Sequence, residues 1–177
     1  KTGNASSLRL LLEAPQGSVY PLGWHTVIAA AMRLCGATDI PLATNAMVLV
    51  VSGLVWTSGC LALTHVLFHG RPLALLVAAV MAGSFAAFPH VLLTWGVLYP
   101  NFLSVALLPA LLAAARELVP TAGARAGSGP TGLLLLAGAL GVGGLGLTQP
   151  NTAATLLLAL VILAVARAVT TVRTPPA

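Results

Sequence analysis

Charged side chains are scarce in this sequence, and acidic ones are almost absent. Eight of the 177 residues are Lys or Arg and three are Asp or Glu, so only 6% are charged, whereas soluble globular domains carry about 25%. Hydrophobic residues make up 58%, and the mean hydropathy is +1.00. This balance excludes an ordinary soluble domain and predicts an all-α, polytopic membrane helix bundle, in which each span satisfies its own backbone hydrogen bonds.

Other absences exclude whole classes of site. The two cysteines, Cys35 and Cys60, give neither a disulfide framework nor a zinc-ligand spacing. His65 and His69 lie four residues apart, but zinc needs three or four ligands, so the residues predict no metal site. The eight basic residues are scattered singly, which excludes the basic stripe that tracks nucleic acid. No Gly-x-Ser-x-Gly or Cys-x-x-Cys motif occurs.

Five apolar runs predict five transmembrane helices. None contains a formal charge, and proline, glycine or polar residues separate each run from the next. The predicted spans are residues 46–68, 73–88, 97–115, 132–147 and 152–166, within a transmembrane bundle of residues 46–167 that is followed by a cytoplasmic tail, 168–177. The fourth run holds six glycines, which predicts that it packs inside the bundle through Gly141 and Gly143.

Residues 1–45 are predicted to form an extracytoplasmic loop that ends in an interfacial helix. Residues 24–35 place apolar side chains at helical spacing, with His25 and Arg33 off that stripe. Twelve residues reach only about 18 Å, against a hydrocarbon core of about 30 Å, so this helix should lie in the interface or re-enter. Because the chain begins at Lys1, we expect an excerpt of a longer protein that supplies further membrane helices.

The distribution of Lys and Arg predicts the orientation in the membrane. Loops 69–72, 116–131 and 167–177 carry five basic residues, whereas loops 1–45, 89–100 and 148–151 carry three. The first set is therefore predicted to be cytoplasmic, with the N-terminus of the chain outside and its C-terminus inside. The load of Ala, Leu, Gly, Val and Arg is typical of a GC-rich bacterial gene, which favours a bacterial cell membrane.

The predicted outer face gathers aromatic, imidazole and amide side chains. Rings stack on sugars and amides bind hydroxyls or phosphates, so this set suits a sugar or a lipid head group. The candidate substrate-binding residues are Tyr20, Trp24, His25, His90, Trp95, Tyr99, Asn101, Gln149 and Asn151. Two simpler interpretations remain open, namely that the aromatic residues form an interfacial belt and that the asparagines cap helices.

One hypothesis joins these residues in a single outward-facing cavity. There His25 and His90 would bind the phosphate of a carrier lipid or orient an acceptor hydroxyl, while Trp24 and Trp95 would stack on sugar or isoprenoid. Glu13 and Asp39 are the outer carboxylates and either could be a general base, although solvated loop charge explains them as well.

Several motifs resemble multi-pass bacterial membrane proteins related to the GT-C glycosyltransferases. They are Tyr-Pro-Leu-Gly-Trp-His at 20–25, Phe88-Pro89, and Trp-Gly-Val-Leu-Tyr-Pro-Asn at 95–101 with Leu108-Pro109 downstream, covering about residues 18–115. The resemblance implies a polyprenyl-phosphate sugar donor, a divalent metal cofactor and an acidic catalytic residue in the first outer loop. Glu13 is the one candidate in range, without a matching motif around it, so the catalytic residue stays unassigned.

Two other classes of function stay open at this point. A transporter usually carries charged residues in its spans or broken helices in repeated halves, and the sequence shows neither a charged span nor a repeat. A structural or assembly subunit with no reaction needs no motif. The leading prediction is a GT-C-like glycosyltransferase or relative, with membrane lipid and a polyprenyl-phosphate sugar as partners.

Overall fold

Helices account for nearly all of the residues that the computed structural model describes, which are 22–85, 87–94, 98–118 and 131–173. No strand occurs within these ranges. The helices in chain order are α1, Gly23–Cys35; α2, Ile40–Phe68; α3, Pro72–Ser84; α4, made of Ala87–Val91 and Leu92–Thr94; α5, Tyr99–Leu118; α6, Thr131–Thr148; and α7, Pro150–Arg173.

Three stretches are long and apolar enough to cross a membrane. They are Ile40–Phe68, Pro72–Thr94 and Tyr99–Leu118, and two shorter apolar helices, Leu135–Thr148 and Pro150–Val165, accompany them. Large apolar side chains point away from the protein along these helices, such as Leu54 on α2 and Leu158 on α7. Lipid must cover such continuous apolar surface, because water would oppose its exposure. The chain is therefore an all-α membrane helix bundle, as its composition predicted.

The described helices differ from the predicted spans at several ends. Helix α2 begins at Ile40, six residues before the predicted start, because the Asp39 carboxylate accepts a hydrogen bond from the Leu42 N–H (3.0 Å) and Pro41 suits a first turn. Helix α3 ends at Ser84 instead of residue 88, because Phe85 is extended (φ −73°, ψ 114°). Phe88 is extended as well (φ −133°, ψ 130°), as expected for a residue before proline. Helix α7 continues to Arg173, into the predicted tail.

Helix α5 is the centre of the bundle. It packs on the second half of α2, on α6 and on α7, and its buried side chains include Phe102, Leu103 and Leu111. Gly59 of α2 lets the two backbones approach, because a Cβ there would lie 3.1 Å from the Ala110 nitrogen. The resulting core is two clusters, one around the first two turns of α5 at Phe102 and one farther along it at Leu111.

Only part of the predicted packing of α6 is present. Gly141 lies directly against the Leu111 side chain of α5, so this glycine does mediate a helix contact. A Cβ at Gly143 would meet nothing within 4 Å, and the same holds for Gly138, Gly144 and Gly146. The prediction was wrong for Gly143, because α6 turns one narrow face toward α5 and leaves the others exposed.

Candidate functional site

An apolar groove lies where α3 is interrupted. Its volume is about 620 Å³, within the range of sites that hold small molecules. Residues of α2, α3, α4 and α5 line it, and none of them is charged. They are Trp56, Cys60, Ala78, Met81, Ala82, Phe85, Phe88, Val91, Leu92 and Val105.

The groove lies at membrane depth. Helices α2 and α3 are joined by the tight turn at 69–71, where His69 (φ 53°) and Gly70 (φ 70°) are left-handed. At 1.5 Å per residue, Trp56 lies about 18 Å from the end of α2 at Phe68, and Ala82 about 15 Å from the start of α3 at Pro72. Both lie near the middle of a hydrocarbon core of about 30 Å if the turn is at its edge.

A row of aromatic rings joins the groove to α1. Phe88 packs on Trp56 with ring centroids 4.3 Å apart, and it stacks on Phe102 at 5.2 Å. Trp24 of α1 meets Phe102 edge-on at 5.9 Å and stacks on Tyr99 at 4.8 Å with only 6° between the ring planes. Such pairs add specific geometry to burial. The row therefore ties α1 to the wall of the groove.

The start of α1 also meets the turn between α6 and α7. A Cβ on Gly23 would lie 2.9 Å from the Thr148 Cα, so the two backbones are in close contact. Nearby, the Ser104 and Thr152 hydroxyls of α5 and α7 lie 2.9 Å apart in a buried hydrogen bond. Three segments that the sequence assigned to the outer face thus converge, namely the starts of α1 and α5 and the α6–α7 turn.

The predicted site residues take different positions within this arrangement. Trp24 is 1% exposed, and its contacts with Tyr99 and Phe102 give it a packing role in the core. Its ring is therefore not open to a ligand, contrary to the stacking role hypothesised for it. His25 and His90 are exposed, and His90 lies between two groove-lining residues, Phe88 and Val91. The shared cavity of His25 and His90 stays a prediction.

The remaining candidates lie near helix ends. Tyr99, Asn101 and Gln149 are half-buried, and Asn151 is exposed in the first turn of α7. The backbone carbonyl of Asn101 accepts a hydrogen bond from the Ser104 hydroxyl (2.8 Å). Glu13, Tyr20 and Trp95 lie outside the described residues.

The part of the chain that the structure describes brings together no three His, Cys, Asp or Glu side chains that could hold a metal ion. The divalent metal implied by the resemblance therefore finds no donor set among these described residues. Asp39, considered as a general base, caps α2.

Sequence reasoning missed the groove itself. Eight of its ten lining residues are ordinary apolar residues of three predicted spans, and Val91 and Leu92 belong to the predicted loop 89–100. Their apolar character is the same whether they face lipid, protein or a groove. The one available signal was Trp56, because a tryptophan far from either end of a span needs a partner for its N–H.

Comparisons with known proteins place the chain in a family. No curated protein and no solved structure matches it. A family model matches residues 1–177, the whole length of the chain. The chain belongs to DUF6541, a family of unknown function.

Proposed function

We propose that this membrane protein is a GT-C-like glycosyltransferase, or a relative of one, that acts on a lipid-linked sugar at the outer face of the membrane. The observation that carries the proposal is the apolar groove, whose lining includes residues on both sides of His90. A carrier lipid has an apolar chain, which matches the groove, and a polar head, which matches the exposed His90 imidazole.

The chain of the carrier would occupy the groove. The groove opens toward the membrane, because its lining residues Met81, Phe85 and Val91 are each about half exposed. A chain could enter it from the bilayer without crossing water. An aromatic and aliphatic lining offers dispersion contacts to such a chain but no partner for a polar substrate.

His90 would bind the phosphate at the α4 end of the groove, next to the lining residues Phe88 and Val91 in the sequence. It is exposed and is attached to the segment that interrupts the span, between Phe88 and Val91. An imidazole N–H can donate a charge-assisted hydrogen bond to a phosphate oxygen. The predicted orientation places this end of the groove outside.

The sugar assignment comes from the chemistry of the converging segments and from the GT-C resemblance. Asn101 and Gln149 offer amide groups, and Tyr20 and Trp95 offer rings, for sugar hydroxyls and faces. In the proposed transfer, an acceptor oxygen forms the new bond to the anomeric carbon. The bond from that carbon to the phosphate breaks, and polyprenyl phosphate leaves. Glu13 is the proposed base that takes the acceptor proton.

The test is sugar transfer by the whole protein in proteoliposomes. With a radiolabelled polyprenyl-phosphate sugar and an acceptor extract from the same membranes, we expect label to pass into acceptor. His90→Ala should lower the rate about 10- to 100-fold, which corresponds to losing one charge-assisted hydrogen bond. His69→Ala, in the turn between α2 and α3, is the matched control. Alanine costs some stability at this left-handed residue (φ 53°), so rates are compared per folded protein, and the control should stay within about twofold of wild type.

Two results would contradict the proposal. One is wild-type protein that transfers no sugar from any polyprenyl-phosphate donor, and the other is a His90→Ala variant as active as His69→Ala. Retention of activity by Glu13→Gln would remove Glu13 from the catalytic role without affecting the assignment of the groove.

A second candidate, a lipid transporter, is favoured by the interruption of α3. Non-helical backbone at membrane depth is found where it is buried in protein or lines a cavity, and broken helices mark the binding sites of many transporters. The same proteoliposomes separate the two functions. A transporter moves the intact lipid-linked sugar between leaflets, whereas the enzyme releases polyprenyl phosphate.

A further inference from the structure

Trp56 occupies an unusual place for a tryptophan in a membrane protein. Tryptophans concentrate at the two interfaces, where the ring is in the apolar region and the N–H reaches water. Trp56 lies about 18 Å along α2 from Phe68, in the middle of the span. Its N–H must therefore find a partner inside the protein.

The partner is provided by the interruption of α3. In a continuous helix the Ala82 carbonyl would accept from the N–H four residues on, but α3 ends at Ser84 and Phe85 is extended (φ −73°, ψ 114°). The Trp56 Nε1–H donates to the Ala82 oxygen at 3.0 Å, although the residues are 26 apart in sequence. This bond joins α2 to the broken end of α3.

The local form of α2 is itself irregular at this point. The six residues that end at Trp56, Val51–Trp56, form π-helical turns, which insert an extra residue and rotate the side chains that follow. Short π-helical segments within α-helices are frequent at functional sites. A regular helix would direct the indole elsewhere around the axis.

The same indole forms part of the groove wall. Trp56 lines the groove beside Ala82 and packs on Phe88, whose ring also lines it. Phe88 is 4% exposed and stacks in turn on Phe102 in the core. The hydrogen bond and the ring contact together fix the distance between α2 and α3 and the position of Phe88.

We infer that Trp56 is a specificity-determining residue, whose bond to Ala82 holds the aromatic wall of the groove in a fixed position that favours a methyl-branched, unsaturated chain. The inference rests on the proposed function, in which the groove holds the isoprenoid part of a carrier lipid. The flat sp² segments of such a chain match the ring faces of Trp56, Phe85 and Phe88, whereas a saturated linear chain has no flat segment to place against them.

The two native cysteines supply the assay. Cys60 lines the groove, and Cys35 is exposed at the end of α1 as an internal reference. Alkylation by a lipophilic maleimide in phosphatidylcholine nanodiscs is followed at both thiols by mass spectrometry. Polyprenyl phosphate is compared with an equimolar phosphate ester of a saturated linear alcohol of similar length.

In wild type, polyprenyl phosphate should slow Cys60 alkylation relative to Cys35 several-fold more than the saturated phosphate does. Trp56→Phe keeps an aromatic ring and removes the donor. It should lower this ratio of protections at least about twofold, toward a ratio of one, as expected for the loss of one hydrogen bond. Phe68→Leu, at the end of α2 and outside the groove lining, should leave the ratio unchanged.

The outcomes separate the inference from the proposed function. Equal protection by both phosphates in wild type, or an unchanged ratio in folded Trp56→Phe, would overturn the role of Trp56 while the groove remains a lipid site. No protection of Cys60 by either phosphate would overturn the proposed function and this inference with it. If Trp56→Phe does not fold, Trp56→Tyr keeps an aromatic ring and adds a hydroxyl that cannot take the position of the indole N–H, and the same ratio decides.

Discussion

The contact between α2 and α5 at Gly59 offers a quantitative test of the fold. A Cβ at Gly59 would lie 3.1 Å from the Ala110 nitrogen and 3.5 Å from the Ala110 and Pro109 Cβ atoms. The nearest of these atoms is backbone, so Gly59→Ala must move one helix away from the other. Overpacking of this kind costs about 1–3 kcal/mol.

Gly143 is the matched control, because it is also a glycine inside a helix. A Cβ there meets nothing within 4 Å, so Gly143→Ala should keep the gain of about 0.5–1 kcal/mol that alanine has over glycine in a helix. Gly59→Ala has the same helical gain, so the two variants should differ by the overpacking cost of about 1–3 kcal/mol, which is about 5- to 150-fold in the unfolding equilibrium constant.

The assay is unfolding of purified protein in mixed micelles by added SDS, followed by circular dichroism. The same assay is applied to Gly59→Leu and Gly143→Leu. Leucine at Gly59 should prevent packing of α2 on α5, whereas the leucine side chain at Gly143 should face lipid and leave the packing intact. If both alanine variants unfold at the same SDS fraction as each other, α2 and α5 do not meet at Gly59 and the packing described here is wrong.

Three further predictions concern single contacts and the orientation. The Ser104→Ala and Thr152→Ala double-mutant cycle in the same SDS assay should give a coupling of about 0.6–1.7 kcal/mol, and additive losses would show that the two hydroxyls do not interact. Asp39→Ala should lose about 1 kcal/mol of stability through the lost cap of α2, whereas Asp39→Asn should lose much less; equal losses would argue against capping. On intact cells, a membrane-impermeant maleimide should label Cys35 and spare a His69→Cys variant whose native cysteines are replaced, and the reverse pattern would invert the predicted orientation.

The class of the protein and most of its helices could be predicted from the sequence, because low charge and high hydropathy extend over all the residues of a span. The ends of helices depend on single residues. At the start of α2 the composition of the segment and its capping residue indicate different structures. Residues 37–45 look like a linker by composition, yet Asp39 with Pro41 starts a helix at Ile40. The cap decides that boundary, since it satisfies an N–H that an uncapped helix would leave without a partner.

The candidate site was less accessible from the sequence. The convergence of the starts of α1 and α5 with the α6–α7 turn follows from their assignment to one side of the membrane. The roles of single residues at this site do not follow from that assignment. A tryptophan such as Trp24 looks the same in the sequence whether it stacks on a ligand or on Tyr99. Helix packing also decides which glycines contact a neighbouring helix. Gly141 and Gly143 lie on the same helix, and the rotation of α6 about its axis places Gly141 against α5 and Gly143 on an exposed face.

The most direct test of the central claim is where a lipid-linked sugar binds in the whole protein. A polyprenyl-phosphate sugar with a photoreactive diazirine in its chain, irradiated in nanodiscs and mapped by mass spectrometry, should label Met81 and Phe85 in the groove. An excess of the unlabelled donor should abolish that labelling, and an excess of phosphatidylglycerol should not. Labelling that is spread equally over outward residues such as Leu158 of α7, or that phosphatidylglycerol removes as well as the donor does, would contradict the account.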